Sequence, residues 1–287
     1  MQNSSICSFA NSDSWVVLTP IELSIKQKIE AIGTPLKDWD IQINYGIKTG
    51  FNDAFIIDGK KRAELIAADP KSAEIIRPIL RGRDIKRYNY DFADLWLINT
   101  HNGIKDKGIS RINIDDYPAI KEHLDQYWEQ ISTRTDKGDT PYNLRNCAYM
   151  DDFNKQKIVW GEISDRTKFC LDYNGEFYCE ATTFLMTGES LPFLVCYLNS
   201  SLSEYLFSLI GTTTGVGTVR WKKFKIEQLY IPKCVPDHIL SEIQTLSDQI
   251  YDTPIGPEKD EMEKHINQLV LSIFDLTPEE IKIIERN

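Results

Sequence analysis

The chain has 287 residues, 41% hydrophobic and 26% charged, which allows one or two domains with a real core. No apolar run reaches the roughly 18 residues of a membrane span: 190–210 is interrupted by Pro192, Asn199, Ser200, Ser201, Ser203 and Glu204, and 1–14 lacks the basic start and apolar stretch of a signal peptide. The net charge of −10 argues against a nucleic-acid partner only until its distribution is read: 235–287 holds 12 acidic and 4 basic residues, whereas 60–90 holds nine basic and four acidic ones.

In chain order, apolar residues at 21, 25, 29 and 32 have helical spacing, with Gly33 as a stop and Pro35 beyond it. Trp39, Ile41, Ile43 and Tyr45 alternate with polar residues, which predicts a half-buried strand. A second short strand over 54–58 follows Gly46-Ile47-Lys48-Thr49-Gly50, so the pair reads as a hairpin around a Gly/Lys/Thr loop. A turn and helix are expected over 60–68, and a short helix or turn over 73–80. Strands are expected over 95–99 and 157–160, with a helix over 117–130 that has Pro118 near its start. The stretch 132–149 is rich in Thr, Asp, Lys, Gly and Asn and reads as a long polar loop.

Asn174-Gly175 is a strong two-residue hairpin signal, and its register sets Cys170 opposite Cys179 as reduced neighbours. A buried helix follows over 193–210, then a small-residue loop over 211–217, followed by the segments 219–225 and 229–231. Amphipathic helices over 237–251 and 257–274 lead to a last short helix, with Thr277 as N-cap and Glu280 completing a capping box. Helices and strands mix without regular βαβ alternation, so the class is α+β: a mixed or antiparallel sheet followed by C-terminal helices. The charge shift places a boundary at 234/235, with a body over 1–234 and an acidic helical segment over 235–287 packing on it. Six cysteines, Cys7, Cys147, Cys170, Cys179, Cys196 and Cys234, include no CxxC pair and read as reduced thiols of a cytoplasmic protein with no zinc site.

The sequence contains no GxxxxGK[ST], GxSxG, HExxH or kinase set, and Gly211-x3-Gly215-Val216-Gly217 follows a helix instead of a strand, which argues against a dinucleotide fold. His101, His123, His238 and His265 are isolated and read as surface-polar or internally satisfied groups. Asp237 with Glu280-x-Lys282 has the residue types of a metal-dependent nuclease, but both fall on predicted helices of the acidic segment and read as solvated faces. Glu162, Asp165, Arg166 and Lys168 read as a salt-bridged strand edge ahead of an unmotified enzyme site. The chain itself is therefore expected to be non-catalytic.

Three segments concentrate donors among small or flexible residues. In Tyr45–Asn52, Lys48 and Thr49 stand between Gly46 and Gly50, and Asn52 follows two residues on; such a tip can meet a phosphate or a base edge, or be a glycine-rich turn with a solvated lysine. In 77–90, Arg81, Arg83, Lys86 and Arg87 form a stripe suited to a DNA backbone or, alternatively, a solvated face, and Asp84 can pin one arginine internally. In 212–225, hydroxyls and glycines precede Arg220, Lys222, Lys223 and Lys225, interleaved with Trp221 and Phe224, which suit core packing or base stacking. Arg134, Lys137, Asn143 and Arg145 add a weaker base-reading signal.

These residues carry a resemblance. Leu36-Lys37-Asp38-Trp39, Gly46-Ile47-Lys48-Thr49-Gly50-Phe51-Asn52-Asp53-Ala54-Phe55-Ile56-Ile57-Asp58 and Ile76-Arg77-Pro78-Ile79-Leu80-Arg81-Gly82-Arg83-Asp84-Ile85-Lys86-Arg87-Tyr88 resemble the TaqI-like specificity domain of type II restriction–modification enzymes. Thr182-Thr183-Phe184, Leu198-Asn199-Ser200, Trp221-Lys222-Lys223-Phe224 and the tail from Ile266 to Ile281 continue it, over roughly 15–287. The resemblance implies a target recognition domain that grips double-stranded DNA and sets specificity for an adenine-N6 methyltransferase, often fused to a nuclease. It implies no cofactor in this chain and S-adenosylmethionine for the parent enzyme. The methyltransferase would lie upstream in the same parent chain, or the 287 residues would form a separate specificity subunit docking through their C-terminal helices. No membrane partner is expected.

Overall fold

The computed structural model describes residues 18–210 and 217–286. Cys7 and most of the 211–217 loop lie outside the described residues. Contacts divide the chain into two compact units, one drawn from 1–41, 164–167 and 192–287, the other from 42–163 and 168–191. The units therefore cut the chain along different lines from the charge boundary at 234/235.

In the first unit, helix Pro20–Ile32 starts with a capping box between Thr19 and Glu22 and buries Ile25 and Ile29. The strand Gly33–Pro35 then pairs antiparallel with Tyr230–Pro232. The expected helix over 193–210 is two helices, Leu191–Leu198 and Ser201–Ile210, bent by 69°. The break falls where polar side chains replace the helical ladder: the Ser200 and Ser203 hydroxyls both donate to the Tyr197 carbonyl, at 2.6 and 2.7 Å. No single helix among the described residues is long and apolar enough to cross a membrane; this bent pair has the length and composition, but every residue of Leu191–Leu198 except Pro192 is buried.

The acidic helices Asp237–Asp252, Pro257–Ser272 and Pro278–Ile284 belong to the same unit. Asn267 accepts from the Ser201 N–H and hydroxyl, at 2.8 and 2.9 Å. Glu280 completes the expected capping box and also accepts from Ser24 and Lys28, at 2.7 and 2.8 Å. Burial works against its charge, yet the Lys28, Thr277 and Ser24 bonds hold its carboxyl down at about 2. Glu280 is thus an internal clasp between the last helix and the first.

The second unit holds two four-stranded sheets. One runs in the order Ile41–Tyr45, Thr183–Gly188, Lys157–Gly161, Phe169–Asp172; the other runs Ile56–Asp58, Leu95–Ile98, Ile76–Leu80, Tyr178–Cys179. The last pair of the second sheet is parallel, and the first three strands are antiparallel, so the class is α+β as the sequence indicates. Trp160 stacks on Phe184, and Phe153 stacks on Tyr178, with ring centroids 5.4 and 4.8 Å apart.

Both expected hairpins are absent. Ile41–Tyr45 and Ile56–Asp58 lie in different sheets, because the chain between them is held by other partners: Gly46 donates to Thr183 and Ile47 to Cys179, and 52–55 coils into a helical turn. Cys170 pairs with Val159 and Cys179 with Leu80, so they do not face each other. Asp172 organises the intervening turn instead, accepting from the Glu176 and Phe177 N–H groups and from buried Lys157 at 2.5 Å. The expected helix or turn over 73–80 contains the strand Ile76–Leu80; Ile75, Ile76, Ile79 and Leu80 mimic helical spacing, but Pro78 and β-branched isoleucines favour extended backbone. The helix over 117–130 divides into Pro118–Asp125 and Trp128–Thr133 at Tyr127, whose φ of −111° leaves the helical region.

Candidate functional site

The segment 45–52 is pinned to the turn 179–183. Gly46 is required there, since a Cβ would lie 2.0 Å from the Glu180 carbonyl. Thr49 is 1% exposed; its hydroxyl donates to Asn52 Oδ1 at 2.5 Å and accepts from the Phe51 N–H at 3.2 Å. Thr49 thus shapes the loop, and Asn52 stands at its exposed side. Asn52 Nδ2 donates to Glu180 Oε1 at 3.2 Å, and the Thr182 hydroxyl donates to Glu180 Oε2 at 2.9 Å.

The polar loop 134–149 packs against the same segment: at Gly50 (φ +74°) a Cβ would lie 2.9 Å from the Asp136 carbonyl. Lys48 is ion-paired with Asp136 at 2.8 Å, and Arg145 reaches the same carboxylate at 3.2 Å. The Lys48 bond, with Arg145 adding, holds the Asp136 carboxyl below the usual range. Both cations remain about half exposed, at 55% and 54% of their side chains. They border a cleft of about 300 Å³ whose lining includes Tyr45, Asn146, Tyr149 and Ala181.

Arg134 and Asn143, expected as base readers, are buried scaffold. The Arg134 guanidinium donates to the Thr49, Pro141 and Asn143 carbonyls and lies 4.2 Å from the Phe55 ring centroid. Burial lowers its pKa to about 10. Asn143 in turn donates to the Ile112 carbonyl at 2.9 Å.

The basic segment splits in the same way. Arg81 grips Asp84 through Nε and Nη2, at 2.9 and 2.8 Å, and its own N–H bonds the same carboxylate at 2.9 Å. Burial works to raise the Asp84 carboxyl, but the Arg81 bonds outweigh it and the net direction is down. Arg83 is exposed beyond this clasp. Lys86 caps the Arg83 carbonyl at 2.7 Å and lies 3.5 Å from Asp91; Arg87 lies over the Tyr88 ring at 5.7 Å. Gly82 meets Gly161 closely and lies beside the Thr182 carbonyl, and Arg81 feels the charge of Glu180. The second unit therefore gathers Lys48, Asn52, Arg145, the Glu180–Thr182 turn and the 81–87 segment around one region.

In the other unit, Trp221 is core, stacked on Phe207 at 4.1 Å between centroids, while Phe224 is 54% exposed. Arg220, Lys222 and Lys223 are half-buried, and Lys223 lies 3.7 Å from Glu227. Arg166 of this unit pairs with Glu204 at 3.5 Å, while in the second unit His123 sits buried with Nε2 3.0 Å from the Ala54 carbonyl. Among the described residues no group of three or more His, Cys, Asp or Glu is placed to hold a metal ion.

Glu180, Tyr45 and Asn146 escape a reading based on positive charge. Tyr45 is expected to face inward by alternation, yet is 53% exposed. Thr182, within the resemblance motif, is the one signal that pointed to the central turn.

This arrangement of sheets and loops is that of a specificity domain: the model of the TaqI-like C-terminal specificity domain matches residues 77–231, more than half of the chain, and the chain belongs to that family. Among proteins it resembles, the Type II methyltransferase M.BstVI of Geobacillus stearothermophilus is 20% identical over 285 residues, covering 96% of this chain and 47% of the relative. The Type IIL restriction–modification enzyme MmeI, solved in complex with DNA, shares the fold with a TM-score of 0.65 at 13% identity, over 87% of this chain and 35% of that one. The type IIG restriction endonuclease BpuSI gives 0.52 at 14% identity, over 91% and 34%. The chain thus spans less than half the length of each of these relatives.

Proposed function

We propose that this chain is the target recognition domain of a restriction–modification enzyme, binding double-stranded DNA and setting the sequence at which an adenine-N6 methyltransferase acts. Methyl transfer, its S-adenosylmethionine and any nuclease activity belong to a partner domain of the same parent protein, and this chain contributes recognition alone. The observation that carries the reading is the convergence of Lys48, Arg145 and the 81–87 segment on one turn in a chain of the specificity-domain family.

Chemically, Lys48, Arg83, Lys86 and Arg145 neutralise phosphates, and Arg87, Arg220, Lys222 and Lys223 are further contacts of the same kind. Asp136 holds Lys48 and Arg145 side by side until phosphate oxygens replace it as their partner. Asn52 supplies a polar group that carries sequence information. Thr49 and Arg81 act by holding the loops in shape.

The test is fluorescence anisotropy of a duplex pool across a salt series. Log affinity should fall with log salt at about −0.9 per phosphate contact, and Arg83→Ala with Lys86→Ala should flatten the slope by roughly two contacts. A salt-independent affinity, or no binding at low salt, would overturn the reading.

A further inference from the structure

Glu180 is a carboxylate placed among the cations proposed to hold DNA, where a charge of its sign repels phosphate. Its backbone is fixed: the N–H donates to the Leu80 carbonyl at 2.9 Å, and its carbonyl accepts from the Thr183 N–H at 2.9 Å and hydroxyl at 2.5 Å. Its side chain is fixed as well, one oxygen by Asn52 at 3.2 Å and the other by Thr182 at 2.9 Å. Both donors are exposed; Lys48 lines one cleft with Ala181, and Gly82 lies beside the Thr182 carbonyl, so the carboxylate is held where the two basic segments meet the turn.

An ionised carboxylate has about four acceptor sites, of which these bonds use two. The remaining two have no use against a phosphate backbone. On duplex DNA the complementary donors are exocyclic amines, and in the major groove a Glu side chain pairs with the N4 amine of cytosine. Glu180→Gln keeps one acceptor oxygen for Asn52 or Thr182, turns the other into a donor NH2 and removes the charge that opposes the phosphates.

We propose that Glu180 is a specificity-determining residue that accepts a hydrogen bond from cytosine N4 in the major groove, with Asn52 and Thr182 as positioning residues for its carboxylate. This rests on the DNA-recognition reading above and names one of its base contacts. The contact also offsets some of the repulsion, so discrimination at one base pair is obtained at the expense of affinity for DNA in general.

The experiment is selection of bound duplexes from a random-sequence pool by the full 287-residue chain, followed by sequencing. The wild type should enrich a motif in which one position demands cytosine. Glu180→Gln should lower that single preference by about tenfold, leave the other positions intact, and keep or raise affinity for the unselected pool. Thr182→Ala, which leaves the charge but loosens its aim, should weaken the same position to a smaller degree, and guards against misfolding of the first variant. An unchanged motif in Glu180→Gln, or an equal loss at every position, would overturn the assignment. A wild type that binds duplexes but enriches no motif would overturn sequence recognition itself, and one that binds none would overturn the DNA reading.

Discussion

Two clusters of the second unit have the same ingredients, arginine or lysine around one aspartate, and put them to opposite uses. Arg81 and Asp84 are turned inward: their side chains are 25% and 6% exposed, and three hydrogen bonds join them. Lys48, Arg145 and Asp136 are turned outward, with two cations sharing one carboxylate at a cleft. The first cluster exchanges charge for shape, because a half-buried bidentate pair is costly to break from one side. The second keeps a surplus of positive charge in solvent, where pairing contributes little to stability and can be given up to a ligand. Formal charge along the sequence does not separate the two; burial does.

Removing Arg134 should have the largest effect, because it supports the outward cluster from below. Arg134→Ala leaves the Thr49, Pro141 and Asn143 carbonyls without their shared donor and should lower stability by about 2–4 kcal/mol, read as a fall in melting temperature. Arg134→Lys should rescue it poorly, since an ammonium lacks the planar fork that reaches three carbonyls. Arg81→Ala should come next, at about 1–3 kcal/mol, by leaving Asp84 buried and unpaired. If it instead leaves melting unchanged while reducing DNA affinity, the inward assignment of this cluster is wrong.

A pH series sharpens the same contrast in the other unit. The folded Glu280 carboxyl lies at about 2, below its ordinary 4.5, so its contribution is present above 4.5 and is lost as pH falls toward 2. Glu280→Gln should therefore flatten the acid arm of the stability curve over that window and leave DNA affinity near neutral pH unaltered. The smallest stability effect belongs to the outward cations. Lys48→Ala and Arg145→Ala should change stability by about 0–1 kcal/mol and each reduce the salt slope of DNA binding by about one contact.

Local signals in the sequence were good guides where structure is local. The helices Asp237–Asp252 and Pro257–Ser272, the capping box at Thr277 and the pinning of an arginine by Asp84 follow from spacing and side-chain chemistry within a few residues. Strand pairing was not legible, because Gly46 and Asn174-Gly175 sit in turns whose partners are distant in sequence: Cys179 and Thr183 for the first, Lys157 for the second through Asp172. Of the candidate site, the cations could be read from charge, but which of them stay exposed could not. Arg134 and Arg145 stand in the same polar loop, and only packing makes one a scaffold and the other a surface group. Glu180 opposes the expected sign and is found only once Asn52 and Thr182 are seen to hold it.

The proposed DNA-facing surface lies at the loops around the Glu180–Thr182 turn, and amide hydrogen exchange with and without duplex DNA tests that location. Added duplex should slow exchange over 45–52, 81–87, 145–146 and 180–182 and leave the acidic helices Asp237–Asp252 and Pro257–Ser272 unchanged. Protection confined to those helices, with none at the four loops, would contradict it.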